Sequence, residues 1–111
     1  MIYDQENEEI VVDVDPGVCR LNTEIRARAR DEKIIITIKS DCPAVEDLGK
    51  CIKEIDPVAA LAMPYSKNPI YQKAGNILKH SSCPIPMAIL KCIEVAAGLA
   101  LRRDVIVKFR M

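Results

Sequence analysis

The chain has 111 residues, half of them hydrophobic, with 16 basic and 16 acidic side chains and no formal net charge. That is enough apolar surface for a folded core, and it excludes a disordered chain. Balanced charge leaves no long-range field to draw the chain toward nucleic acid or an anionic membrane.

The opening stretch, MIYDQENEE, is acidic and polar, unlike a secretory signal. No uncharged apolar run reaches the roughly 18 residues of a membrane span. A cytoplasmic protein is expected, with residues 1–111 forming a single α+β domain. Five cysteines stand at 19, 42, 51, 83 and 92, an odd count with no CxxC pair. A disulfide framework, a zinc ribbon and a ferredoxin motif are therefore not expected. Any cysteine site must be assembled by the fold.

Residues 9–15, EIVVDVD, alternate: Ile10, Val12 and Val14 face one way, and Glu9, Val11, Asp13 and Asp15 the other. This is the pattern of a half-buried strand. A turn follows, DPGVC, ending on Cys19. TEIRARAR, from Thr23, alternates again with three arginines outward. Antiparallel pairing of these strands is expected to set Asp13 near Arg26 and Glu9 near Arg30. Asp31-Glu32 is a tight reversal into a third strand, KIIITIK. A two-residue turn sets Ala29 opposite Ile34, Ala27 opposite Ile36 and Ile25 opposite Ile38.

After Ser40-Asp41-Cys42-Pro43 the spacing of Val45, Leu48, Ile52 and Ile55 predicts one helix through residue 55, with Pro43 in its first turn. A short helical segment is predicted over VAALAM, then a loop, then a helix from Pro69 to near His80. The segment from Met87 to Leu101 is apolar almost all round, with Lys91, Glu94 and Gly98 along one narrow strip, the pattern of a central buried helix. Pro84 and Pro86 suit its first turn. Cys51 and Cys92, mid-helix, are expected in the core. The closing VIVKFRM alternates and predicts a last strand with Val105, Val107 and Phe109 inward.

The expected architecture is therefore a two-layer α+β sandwich, a four-stranded mixed sheet in the order β-β-β-α-α-α-β with helices on one face. Alternating helices and a right-handed crossover would make the last strand parallel to the first and third. On that topology Cys19, Cys42, His80 and Cys83 reach one edge of the sheet, with the three sulfurs within roughly 8 Å, tight for a domain about 30 Å across. Three cysteines and one histidine suit zinc, or an iron–sulfur cluster. Cys83 also lies at a helix start, where aligned peptide dipoles favour a thiolate, so a thiol nucleophile is the alternative. A non-catalytic module pairing through its outer sheet face is a third reading, with a homo-oligomer or protein partner. A nucleic-acid surface would use Arg26, Arg28, Arg30, Lys108 and Arg110; zero net charge and a single phenylalanine disfavour it.

The run Cys83-Pro84-Ile85-Pro86 opening a helix resembles the CPxP motif of TusA/SirA-type sulfur carriers, and IIITIKSDCPAVEDLGKCIKEI is similar to a later strand–helix unit of that family, in reversed order. The resemblance implies a persulfide on Cys83, shaped by Pro84 and Pro86. The set VDPGVC, SDCP, HSSCPIP and KCIEVAAGLAL resembles a group of small proteins of methanogenic archaea and related anaerobes, which implies an anaerobic cytoplasm.

Overall fold

A computed structural model describes residues 8–111. The chain is an α+β fold. Strands β1 (Ile10–Val14), β2 (Thr23–Arg30) and β3 (Lys33–Ser40) form an antiparallel meander, and β4 (Glu54–Ile55) closes its far side, in the order β1-β2-β3-β4. Helices α1 (Pro43–Cys51), α2 (Pro57–Ala60), α3 (Pro69–Ile77) and α4 (Ile85–Ala96) follow in chain order, with β4 between the first two. Among the described residues no helix is long and apolar enough to cross a membrane.

Alternation decides which face of the sheet is inner. Ile10, Ile25, Ala27, Ala29, Ile34, Ile36 and Ile38 are all buried. The β2–β3 register is the expected one: Ala29 pairs with Ile34, Ala27 with Ile36 and Ile25 with Ile38. Small alanines on β2 let α4 pack down onto β1 and β2, while α1 covers β3. Ile85, Ile89, Cys92 and Ile93 of α4 fill that interface. At Gly49 of α1 an added Cβ would lie 3.0 Å from the Cβ of Ile38, so the helix approaches β3 as closely as glycine allows. Helix α3 packs on α1 and α4.

The β1–β2 register corrects the expected ion pairs. Asp13 lies opposite Glu24 and Val11 opposite Arg26. Arg26 instead reaches diagonally to Glu9 and along its own strand to Glu24, both at 2.7 Å.

The fourth strand is also corrected: it is Glu54–Ile55, antiparallel to Ile34–Ile35, and not VIVKFRM. The chain leaves helical conformation at Ile52 (φ −124°, ψ 87°), well before Asp56, which precedes a proline and is extended (φ −73°, ψ 123°). Helix α1 stops at Cys51, and the two residues before Asp56 join the sheet. All four strands are thus antiparallel to their neighbours, and the sheet is not mixed. Cys51, expected in the core, is exposed at the end of α1, while Cys92 is buried as expected.

Helix α4 ends earlier than its apolar run suggests. Gly98 takes φ +74°, Gly98 N donates to Val95 O and Leu99 N to Glu94 O, a Schellman closure that only a left-handed residue permits. Residues 99–111 then carry no helix or strand. Leu101, Ile106, Val107 and Phe109 are exposed.

Candidate functional site

The end of the sheet where β1 and β3 finish carries Cys19 and Cys42. Ser40, the last residue of β3, ties that end together. Its hydroxyl lies 2.7 Å from Thr23 Oγ1 and accepts from Cys42 N at 3.0 Å, and its own N–H donates to Glu46 Oε2 at 2.7 Å. Asp41 N donates to Asn22 O. These bonds hold Cys42 at the N-cap of α1, in the extended conformation that a residue before proline adopts. Cys42 is half-buried, and no side chain caps the first turn. Beside it a shallow polar groove of about 390 Å³ is lined by Asp13, Glu24, Lys39, Asp41 and Glu46 among others. The Arg26 guanidinium holds the Glu24 carboxyl below the usual carboxylate range.

Cys83 lies in the turn that opens α4. Cys92 Sγ lies within 3.8 Å of the carbonyls of Ile10 and Ile25, at the lower part of β1, and Arg102 pairs with Glu8 just below it. These contacts set the middle of α4, and the chain that follows it, against β1. Cys83 N donates to His80 O at 3.1 Å, closing the turn that feeds α4. Cys83 is half-buried, and His80 is exposed. Pro84 is the N-cap of α4, and no side chain caps its first turn. Pro84 and Pro86 have no N–H, so the N–H groups that face an anion at this terminus are those of Ile85 and Met87.

Cys19 lies in the β1–β2 connection and is exposed. That turn is built by Gly17, at φ +87°, whose N–H donates to Asp15 Oδ1 and whose carbonyl accepts from Arg20 N. Among the described residues no group of three or more His, Cys, Asp or Glu side chains is arranged to hold a metal ion. The thiols differ chemically. Burial pushes the Cys92 thiol up to about 12, so it stays protonated and unreactive, whereas Cys19, Cys42, Cys51 and Cys83 are at least partly open to solvent.

A feature that sequence reasoning missed lies on the outer side of α4. Residues 61–71 pass over Met87, Leu90, Lys91 and Glu94 and leave a groove of about 540 Å³, with Tyr65 and Tyr71 on its wall. The rings meet edge to face, centroids 5.4 Å apart. Burial, with neighbouring Tyr65, raises the Tyr71 phenol above its ordinary range. Asn68 organises this segment. Its side-chain nitrogen donates to Ala60 O and Ala62 O, and its oxygen accepts from Ile70 N and Tyr71 N. The Asn-Pro pair was the available signal, since it marks a capped helix start.

Comparison with known proteins yields no matching curated protein and no matching solved structure. The one family match carries neither an archaeal source nor a likeness to the sulfur carriers. It spans residues 10–109, from the first residue of β1 almost to the end of the chain, and on that extent the chain belongs to the family of unknown function DUF6951.

Proposed function

We propose that the protein is a thiol carrier in which Cys83 bears sulfur. The observation that carries this reading is the pairing of a half-buried, solvent-reachable Cys83 with the uncapped first turn of α4. Peptide dipoles and two free N–H groups at that terminus suit the negative charge that a sulfur-bearing group carries. The Cys83 thiolate attacks the outer sulfur of a donor persulfide, R–S–SH. The new S–S bond forms on Cys83 as the donor S–S bond breaks, leaving Cys83–S–SH and R–S⁻. Cys42, also at an uncapped helix start, suits a second thiol that accepts or resolves the sulfur.

Incubation with a cysteine desulfurase and cysteine should add the mass of one sulfur to the peptide containing Cys83. Cys83→Ser should abolish that addition, Cys42→Ser should leave the first loading intact, and Cys92 should stay unlabelled. Equal labelling of all solvent-reachable cysteines would mean nonspecific oxidation and end the proposal.

A zinc or iron–sulfur site formed by Cys19, Cys42, Cys83 and His80 is the second reading. It is favoured by the position of all four in turns or at helix starts, outside the buried core. It requires the 15–20 turn and the 80–83 turn to close on Cys42. Anaerobically purified protein should then hold close to one metal or cluster per chain, and chelation should lower its melting temperature. Metal content far below stoichiometric, with melting unchanged by chelator, rejects it.

A further inference from the structure

We infer that two copies of the chain exchange their C-terminal segments, Val105–Phe109 of each adding as a strand to the open edge of β1 in the other. Among the described residues strand β1 has a neighbour on one side only, β2, so its other edge offers backbone groups for pairing. The same chain carries a segment with the matching pattern and no partner. Residues 104–111 form no strand, and Ile106, Val107 and Phe109 are 70%, 86% and 90% exposed. Apolar β-branched residues left this open beside a free strand edge are a docking element without its dock.

The register follows from the residues. Laid parallel to β1, the segment places Val105, Val107 and Phe109 beside Ile10, Val12 and Val14 on the inner face. On the outer face Ile106 then lies beside Val11, Lys108 beside Asp13 and Arg110 beside Asp15. Apolar meets apolar and each cation meets an acid, whereas an antiparallel alignment with Lys108 facing Asp13 sets Arg110 against Val11 and Ile106 against Asp15. The Arg102–Glu8 pair fixes where the segment leaves the body, at the foot of β1, and beyond it the chain stays clear of its own β1. A second copy related by a two-fold axis satisfies both open elements at once, because each copy gives one segment and receives one.

The test is sedimentation velocity on the full chain, with circular dichroism to confirm folding of each variant. Wild-type protein should sediment as a dimer at micromolar concentration. Removal of residues 104–111 should give a folded monomer, and so should Val107→Pro combined with Lys108→Pro, since one of two adjacent N–H groups must face the ladder. A charge-reversed edge, Asp13→Lys with Asp15→Lys, should weaken self-association at least tenfold, as should a reversed tail, Lys108→Glu with Arg110→Glu. Mixing the two variants should restore a dimer, since every reversed edge then meets a reversed tail or a native pair meets its own kind. A monomeric wild type overturns the proposal. So does a monomer whose residue 10–14 amides are protected by its own tail, or a dimer that survives removal of residues 104–111.

Discussion

Replacing Asn68 with alanine is expected to cost about 3 kcal/mol of folding stability, combining the loss of a helix cap with buried backbone groups left unpaired. Asn68 is 4% exposed, and its one side chain spends two donors on the end of α2 and one acceptor on the start of α3. Alanine strands the carbonyls of Ala60 and Ala62 together with the N–H of Ile70. Urea unfolding should show a lowered midpoint with little change in slope. Asn68→Asp keeps the acceptor but turns an oxygen toward the carbonyls of Ala60 and Ala62 and buries a charge, so it should be destabilised at least as much as Asn68→Ala. A loss under about 0.5 kcal/mol in Asn68→Ala would show that water replaces these bonds and that the segment is not held as described.

Ile89→Ala is expected to cost about 3–4 kcal/mol, and Ile89→Val about 1 kcal/mol. Ile89 is fully buried at the middle of α4, the helix that covers β1 and β2. Its neighbours along the buried stripe, Ile85, Cys92 and Ile93, are held on the same helix and cannot close the space. Thermal melts of the two variants should rank with the volume removed. A smaller effect for alanine than for valine would contradict the packing of this interface.

What was legible in the sequence was whatever local chemistry decides alone. The Asp31-Glu32 reversal with its alanine–isoleucine register needs only two alternating strands and a short loop, and it stands as read. Proline-marked starts of α1 and α3 are equally local. The misreadings arose where one pattern had two outcomes. Ile52 and Ile55 fit the helical spacing of Val45 and Leu48, but they fit a buried strand edge as well, and pairing of residues 53–55 with β3 takes the chain out of the helix at Ile52. VIVKFRM alternates as a strand does, yet alternation names no partner, and here the chain's own sheet does not take it up. Of the candidate site, helix-start placement of Cys42 and Cys83 was readable from the flanking prolines. How far apart the thiols lie depends on long-range packing that no local run encodes. The groove under residues 61–71 depends on Asn68 reaching back to Ala60 and Ala62, a tertiary contact with no periodic signature.

Gly49 gives the helix that begins at Cys42 an unusual mechanical setting. Gly49, where an added Cβ would lie 3.0 Å from the Cβ of Ile38, is near the C-terminal end of the helix, seven residues from the thiol, or about 10 Å at the helical rise. A helix pinned at one end behaves as a lever. A small displacement at Gly49 swings the far end through a larger arc unless the Ser40 hydroxyl and the Glu46 carboxylate restrain it. The position of the Cys42 sulfur is therefore set by two separate anchors, one steric and one hydrogen-bonded. Relatives of this chain are free to retune that sulfur's reach by altering either anchor without touching the cysteine itself.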